Sequence, residues 1–399
     1  MRKLILGLAA LGVAGLAGCG GGSGTSGVSK TSMKIYVQQK LYDKAIAQGM
    51  KALASNPNDG DTNYFLGIAY YSKDNELKTE SATYADSSEI FLTKAYQFFT
   101  KAKEVAAGAW GKSCDDTIVS MFGRHYNRGV IASKKGDNTT AAVEYRLAGI
   151  ADPENYQGYY AHAAALWPLA MEARNKNDEA KFTELAHAAI KDLDKVLELK
   201  PAEKDKIVAV HQTRGEILWK LGQKAESQEA FAKAVELDPE NYEMLCTLGE
   251  RFYNDGDLEN AAEYLNSCLS VQERVNAIDA SDAETYSVIG SIKTKQGKFD
   301  EALASFNQAL KLQPESEEAT YNVLVTRYKF GDALEKDSKA DEAKVQYNEG
   351  IKIGSTLIQL NSTKPEYYQV LGYCYRGIGD TARAAIMLKR FNELRQKPN

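Results

Sequence analysis

Residues 283–316 read AETYSVIGSIKTKQGKFDEALASFNQALKLQPES, and this stretch decides the fold prediction. Apolar residues recur at one-turn spacing on both sides of Gly297, which predicts two amphipathic helices of about three to four turns. Gly297 ends the first helix, and the segment Gly-Lys-Phe-Asp reverses the chain. Because Gly290 and Ala302 carry almost no side chain, we expect the helices to cross there, with Phe306 beside them. The stretch therefore predicts an antiparallel helical hairpin with one apolar side left uncovered.

The rest of the chain supplies similar hairpins against which that apolar side can pack. The order of small residue, loop glycine, alanine, aromatic residue, alanine and proline over 34 residues resembles the tetratricopeptide repeat (TPR) family. The eleventh position, usually large and apolar in that family, is Lys293. The resemblance implies an all-α fold, a right-handed superhelical solenoid of antiparallel helix pairs. It also implies a concave groove, lined by the first helix of each repeat, that usually binds peptides.

The resemblance covers nearly all of residues 32–399, strongly in five repeats and loosely in four. The nine predicted repeats are 32–57, 60–108, 115–153, 156–201, 208–239, 242–275, 283–316, 317–361 and 365–396. A polar insertion at about 73–88 is either a lengthened turn or a loop with a partner of its own. The fourth and eighth repeats are overlong. In the fourth we expect two extended helices and a kink after Trp167, because Pro168 lacks an N–H group.

The N-terminal sequence has the pattern of a targeting segment. Arg2 and Lys3 precede an apolar run that is too short to span a bilayer comfortably. The run ends in Leu-Ala-Gly-Cys, which resembles the lipobox of bacterial lipoproteins. The resemblance implies a signal peptide at 1–18 that is cut before Cys19, and a covalent lipid on Cys19. An ordinary secretory leader that happens to contain Cys19 is the alternative.

The segment after the leader predicts both a tether and a location. Residues 19–31 are glycine- and serine-rich, which is typical of a flexible linker. Gly20 follows the cysteine, where an aspartate would favour retention in the inner membrane. We therefore expect an outer-membrane lipoprotein that faces the periplasm. The formal net charge is −5 and no basic run occurs, so nucleic acid is not an expected partner.

The sequence contains no arrangement of residues that indicates an enzyme. It lacks His-Glu-x-x-His, Cys-x-x-Cys, a phosphate-binding loop and a nucleophile elbow. The four histidines lack metal-ligand spacing, and ordinary packing or exposure accounts for them; they are His125, His162, His187 and His211. We therefore expect no catalytic residue, no metal and no cofactor apart from the lipid on Cys19.

Four cysteines remain beyond Cys19, in what is expected to be an oxidising compartment. Cys246 and Cys268 belong to one repeat, at its fifth and twenty-seventh positions. Helices packed 8–10 Å apart make a bridge between them geometrically doubtful. We therefore interpret these two, together with Cys114 and Cys374, as buried free thiols, with a disulfide as the alternative.

The candidate binding residues follow from the family's geometry. In that geometry, the fifth and twelfth positions of each first helix face the groove, and asparagine at the sixth often holds a ligand backbone. Aromatic rings with a polar tip suit the binding of an extended peptide. The predicted groove residues are Tyr64, Tyr71, Tyr126, Asn127, Tyr160, Trp167, Trp219, Tyr253, Tyr321, Asn322 and Tyr328. The alternative is that these rings pack against the neighbouring repeat.

These observations predict a scaffold that binds proteins and catalyses no reaction. Its expected partners are peptide segments of envelope proteins, with the membrane contacted through the lipid anchor. Its expected task is the assembly of an envelope complex for outer-membrane protein insertion, for a pilus or secretion pore, or for peptidoglycan synthesis. A receptor that stacks a glycan or small ligand on the aromatic groove is the alternative.

Overall fold

The computed structural model describes residues 26–275 and 277–396, and within these ranges the chain is helical without a strand. Cys19, the predicted leader and the first part of the predicted tether lie outside the described residues. The chain divides into two compact units after Lys224. In the N-terminal unit the helices are α1 (Ser26–Gln38), α2 (Tyr42–Ser55), α3 (Gly60–Glu76), α4 (Tyr84–Lys134), α5 (Asn138–Ala151), α6 (Tyr156–Asn175), α7 (Glu179–Leu199) and α8 (Lys204–Lys220).

In the C-terminal unit, helices pack mainly as consecutive antiparallel pairs. Those pairs are α10 with α11, α12 with α13, α14 with α15, and α16 with α17. The bounds are α9 (Lys224–Leu237), α10 (Tyr242–Asp255), α11 (Leu258–Arg274), α12 (Asp282–Lys295), α13 (Phe299–Leu312), α14 (Glu317–Lys336), α15 (Ala340–Leu360), α16 (Pro365–Gly377) and α17 (Thr381–Arg395). The all-α architecture of stacked helix pairs predicted from the sequence is confirmed.

A glycine on the first helix receives a large side chain of the second helix, as the sequence predicted for residues 283–316. A Cβ atom built on Gly290 would lie 2.7 Å from Cε1 of Phe306, so only glycine permits this approach of the two helices. The same contact joins Gly129 to Tyr145 and Gly331 to Tyr347. In each of these pairs the ring follows its glycine by 16 positions. The constant interval explains why the repeats share one hairpin geometry.

Helix ends follow from local chemistry. Asp137, Asn241 and Ser316 each precede a helix, and each side chain accepts a hydrogen bond from a backbone N–H of the first turn. At the other end, Gly297 has φ +77° and terminates the turn after α12, a backbone conformation that side-chain-bearing residues rarely adopt. Capping thus sets the ends of these helices, and packing of the apolar faces determines how the pairs stack.

Three features of the fold differ from the expected organisation. Helix α1 begins at Ser26, so the last residues of the predicted tether are helical. Helix α4 joins the second helix of one repeat to the first helix of the next, interrupted only at Ala106 with φ −148° and ψ 44°. The insertion near 73–88 mainly lengthens α3 and α4, which leaves only 77–83 outside a helix.

The overlong fourth repeat has helices of 20 and 21 residues, as expected, and α6 runs through Pro168.

Cys246 and Cys268 form a disulfide, so the interpretation of both as free thiols was wrong. The error lay in comparing helix axes rather than facing atoms. Cα atoms lie about 2.3 Å from each axis, so axes 8–10 Å apart bring facing Cα atoms to about 3.4–5.4 Å. The observed Cα–Cα distance is 5.3 Å, within the usual range for a disulfide. Cys114 and Cys374 are buried free thiols, as predicted.

Candidate functional site

The first helices α10, α12 and α14 of the C-terminal unit line a shared polar cavity of about 490 Å³. Two predicted groove residues, Tyr253 on α10 and Asn322 on α14, lie in its wall. Small residues make the space between them: Ser287 and Ser291 project from α12, at positions where a tyrosine or leucine would fill it. The cavity is therefore a consequence of short side chains on the middle helix.

Several polar side chains in this cavity have hydrogen-bonding capacity to spare. Gln313 donates to the carbonyl oxygen of Ala280 at 2.8 Å, and Ser316 caps α14, so both are engaged. By contrast, the side chains of Ser287, Ser291 and Asn322 make no hydrogen bond to any described residue. Hydroxyl and amide groups of this kind can pair with the N–H and C=O groups of an extended chain. A peptide backbone is thus a fitting occupant.

The cavity and its rim are acidic. Glu284 on α12 and Glu318 on α14 line the cavity. Burial, followed by the nearby charge of Glu284, raises the pKa of Glu250 on α10 above its ordinary value. A positive charge lies beside the wall as well: the ammonium nitrogen of Lys295 is 5.1 Å from the centre of the Tyr253 ring. The local field therefore favours a cationic occupant.

Four of the eight other predicted groove aromatics contact the next first helix. Tyr64 stacks on Trp110 with ring centres 4.0 Å apart, and the Tyr71 hydroxyl lies 3.2 Å from Oγ of Ser120. In the C-terminal unit, two tyrosines of α14 contact tyrosines of α16, the next first helix. The ring centres of Tyr321 and Tyr367 are 5.3 Å apart, and those of Tyr328 and Tyr373 are 5.4 Å apart.

The remaining predicted residues of the N-terminal unit do not converge on one site. Tyr126 stacks on Phe122, Trp167 lies 6.4 Å from Phe182, and Asn127 is exposed. The ammonium nitrogen of Lys206 lies 5.8 Å from the centre of the Tyr160 ring. Trp219 is half-buried on α8. The structure thus brings Tyr253 and Asn322 together in one cavity and distributes the other nine elsewhere.

A buried ionic cluster in the N-terminal unit was missed by sequence reasoning. The fully buried His125 lies between two carboxylates: Nδ1 is 2.7 Å from Oε2 of Glu144, and Nε2 is 3.1 Å from Oδ2 of Asp74. The guanidinium of Arg124 donates to Asp74 at 2.6 Å, and the hydroxyl of Tyr84 donates to Glu144 at 2.7 Å. The one available signal was Glu144, an acidic residue on the apolar face of α5.

The carboxylates set the charge state of this cluster. Burial alone would lower the pKa of His125, but its hydrogen bonds to Asp74 and Glu144 outweigh burial and raise that pKa. Burial opposes ionisation of Asp74 as well, yet the hydrogen bond and charge of His125 hold the pKa of Asp74 below its usual range. A doubly donating imidazolium between two carboxylates ties α3, α4 and α5 together. The cluster is enclosed, so it has no access to a substrate.

The N-terminal unit also contains two cavities that share lining residues. Their volumes are about 650 and 810 Å³, and both are lined by Arg146 of α5 and His162 of α6. Nδ1 of His162 lies 2.6 Å from Oδ2 of Asp192. The smaller cavity is walled by three tyrosines, Tyr96, Tyr145 and Tyr159. Aromatic faces beside planar polar groups make this a second place where a ligand fits.

Metal-ligand groups and membrane-spanning helices are absent from residues 26–275 and 277–396. No group of three or more His, Cys, Asp or Glu side chains is arranged there to hold a metal ion. Nor does any described helix combine the length and the apolar character needed to cross a bilayer.

Comparison with known proteins identifies the repeats. Family models described as tetratricopeptide repeat match residues 242–315 in one case, and 213–270 and 289–343 in another. Residues 213–343 contain tetratricopeptide repeats. The polar cavity lies within these repeats, because the matched residues include α10, α12 and α14. Tetratricopeptide repeats are protein-binding units, so a protein or peptide is the expected kind of partner.

The individual proteins and structures that resemble this chain have low sequence identity or match only a short part of it. A TPR repeat-containing protein of Methanocaldococcus jannaschii is 32% identical over 82 residues, which are 20% of this chain and 14% of that protein. Among solved structures, the C-terminal part of a TPR protein from Cytophaga hutchinsonii is 15% identical, with a TM-score of 0.40, and the match covers 73% of this chain and 98% of that one. YrrB, described as a TPR protein with an unusual peptide-binding site, is 20% identical with a TM-score of 0.37, covering 56% and 96%.

Proposed function

We propose that the protein is a lipid-anchored scaffold of the cell envelope that binds an extended segment of a partner protein in the polar cavity between α10, α12 and α14. The observation that carries the proposal is the unused hydrogen-bonding capacity of Ser287, Ser291 and Asn322 on the cavity wall. Tyr253 offers a ring beside these groups. A segment that orders on this surface would gain backbone hydrogen bonds and one aromatic contact.

The negative charge of the cavity indicates which kind of peptide segment would bind there. Glu284 and Glu318 line the cavity and Glu250 lies near Glu284, so a segment that carries lysine or arginine complements the site. In an envelope assembly, such a segment would come from a component of an outer-membrane insertion, secretion or peptidoglycan machine. The protein then works by affinity, without a chemical step.

Membrane attachment is part of the proposal and has its own support. The residues up to Cys19 resemble a lipoprotein signal, and acylation of that cysteine would hold the protein at the periplasmic face of the outer membrane. Cells that express the wild type should incorporate labelled palmitate into the protein, and a Cys19→Ala variant should not. Equal labelling of both would contradict the anchor.

Site-specific photo-crosslinking in intact cells tests the binding site. A photoreactive residue at Ser291, in the cavity, should trap a discrete partner. The matched control places the same residue at Ala304, which is exposed on the second helix α13 of the same repeat. A product at position 291 and none at 304 supports the proposal. Equal products at both positions, or none at 291, would contradict it.

A glycan or small-ligand receptor is the second candidate, and the tyrosine-walled cavity of the N-terminal unit favours it. Tyr96, Tyr145 and Tyr159 present rings, while Arg146 and His162 supply hydrogen-bonding groups. Thermal-shift screening of envelope glycans against cationic peptides separates the two candidates. A shift with glycans that Tyr159→Ala abolishes would support the receptor, whereas a shift with peptides alone would exclude it.

A further inference from the structure

The first hairpin, α1 with α2, differs in charge from the rest of the chain. Residues 26–55 contain five lysines and a single acidic residue, Asp43, which gives a net charge of +4. The remainder of the chain has 44 Lys and Arg against 53 Asp and Glu, a net charge of −9. Positive charge is therefore concentrated in one small region of an acidic protein.

Three of these lysines are exposed and unneutralised. Lys34, Lys44 and Lys51 form no ion pair with any described residue. The acidic residue of the hairpin does not offset them, because Asp43 pairs with Lys73 of α3 at 2.6 Å. The field over this surface is consequently positive.

Apolar side chains are exposed among the lysines. Ile35, Leu41 and Met50 are 43%, 38% and 48% exposed. The opposite side of the hairpin is buried: a Cβ atom on Gly49 would meet Met33 and Leu66 of α3 within 2.7 Å. Lys34, Lys51, Ile35 and Met50 are therefore on the solvent-facing side of the hairpin, which we call the outer face. Lys44 and Leu41 lie at its edge.

A cavity lies between the hairpin and the adjoining ends of α3 and α4. Its volume is about 530 Å³, and Lys40 and Lys44 are in its wall together with Leu41 and Tyr42. Glu76 also lines it, at 3.6 Å from the Lys40 ammonium nitrogen. The three lysines of the wall, Lys40, Lys44 and Lys73, outnumber its two acidic residues, Asp43 and Glu76, and with the apolar groups they suit a ligand with a negatively charged head and an apolar body.

We propose that the outer face of the α1–α2 hairpin docks on a membrane surface containing anionic phospholipid. Lysines attract the anionic headgroups, and exposed Ile35, Leu41 and Met50 enter the boundary between headgroups and acyl chains. The inference extends the proposed lipid anchor: the chain from Cys19 to Ser26 spans at most about 25 Å, so an acylated Cys19 would hold the hairpin at the bilayer. Docking then orients the repeats relative to the membrane.

Vesicle co-sedimentation of residues 20–399, without any acyl chain, tests docking independently of the anchor. The protein should sediment with vesicles of two parts phosphatidylcholine to one part phosphatidylglycerol and remain in solution with pure phosphatidylcholine. High salt should release it, because salt screens exposed charges. Absence of binding to the phosphatidylglycerol vesicles would overturn the proposal, whatever the palmitate labelling of Cys19 shows.

A charge-matched pair of variants tests the location. The triple variant Lys34→Glu, Lys44→Glu and Lys51→Glu should lose about tenfold or more in vesicle affinity. The control triple Lys311→Glu, Lys344→Glu and Lys389→Glu makes the same change in net charge on exposed lysines of the C-terminal unit, and should bind within about twofold of wild type. Equal loss in both triples would show binding by overall charge and overturn the docking face; circular dichroism confirms that each is folded.

Discussion

The second and seventh repeats place different residues at the same position of the first helix, and the difference decides whether a cavity remains between neighbouring first helices. In the second repeat this position is Tyr64, which stacks on Trp110 of the next first helix and closes the space between the two. In the seventh it is Ser287, and a polar cavity of about 490 Å³ remains open. The proposed binding surface therefore lies where the side chains are short and polar.

The two units also differ in how they are held together. All four histidines and all three tryptophans precede residue 225, so tryptophan fluorescence reports only on the N-terminal unit. That unit contains the buried cluster around His125. The disulfide between Cys246 and Cys268 belongs to the C-terminal unit. Perturbations can therefore be assigned to one unit or the other.

The largest expected effect is that of His125→Ala. The change leaves the carboxylates of Asp74 and Glu144 buried without the cation between them, which should cost about 3–5 kcal/mol of unfolding free energy. Denaturant unfolding followed by tryptophan fluorescence measures it. His187→Ala, at an exposed position of α7, should change stability by about 0.5 kcal/mol or less. Similar losses in both variants would refute a structural role for the cluster.

Removal of the disulfide should affect the other unit. The double variant Cys246→Ser with Cys268→Ser opens a loop of 22 residues and should cost about 2–4 kcal/mol. The loss should be seen by circular dichroism while the tryptophan transition stays in place. Four titratable thiols in the denatured, unreduced chain from residue 20 onward would show that the bridge does not form; two are expected.

The glycine contacts should give effects of opposite sign. Gly290→Ala places a methyl group against the Phe306 ring and should cost about 1–3 kcal/mol. Gly123→Ala, inside α4 with open space around its Cα, should stabilise by up to about 1 kcal/mol, since alanine is the better helix former. Thermal unfolding of both variants measures the contrast. Stabilisation by Gly290→Ala would mean that the helices are not in close contact there.

The pH dependence should be the smallest effect and should be confined to the N-terminal unit. Because the folded-state pKa of His125 is raised, its contribution is complete below the unfolded value of about 6.5 and is lost as pH rises through the folded-state pKa. The pKa of Asp74 is lowered, so its contribution is lost as pH falls below about 3.8 toward the folded value. Tryptophan-detected stability should decline above pH 6.5 in wild type and not in His125→Gln. A decline of equal slope in both would refute this assignment.

Local patterns in the sequence predicted the hairpins well, because the signals lie close together. Gly290 and Phe306 are 16 positions apart, and Gly297 stands at the turn between them. The sequence did not predict that α4 continues from one repeat into the next. At Ala106, where the helix is interrupted, no residue type shows whether the chain turns or continues as a helix. The sequence of one repeat therefore predicts its hairpin, whereas the connection between two repeats depends on how they pack against each other.

The site was harder to predict than the fold. Whether a tyrosine lines a groove depends on the residue that the next helix presents, such as Trp110 against Tyr64. The buried cluster joins Asp74, His125 and Glu144 across 51 and 19 positions, and no periodicity connects them. The disulfide was misjudged by a geometric error rather than by a missing signal.

Filling the cavity tests the central claim most directly. In the variant Ser287→Tyr with Ser291→Tyr, two rings occupy the space that the short side chains leave open. With the photoreactive residue at Val288, another residue of the cavity wall, the yield of crosslinked partner in intact cells should fall about tenfold or more against the protein that keeps Ser287 and Ser291, at unchanged helicity. An undiminished yield in the filled variant would contradict binding in this cavity.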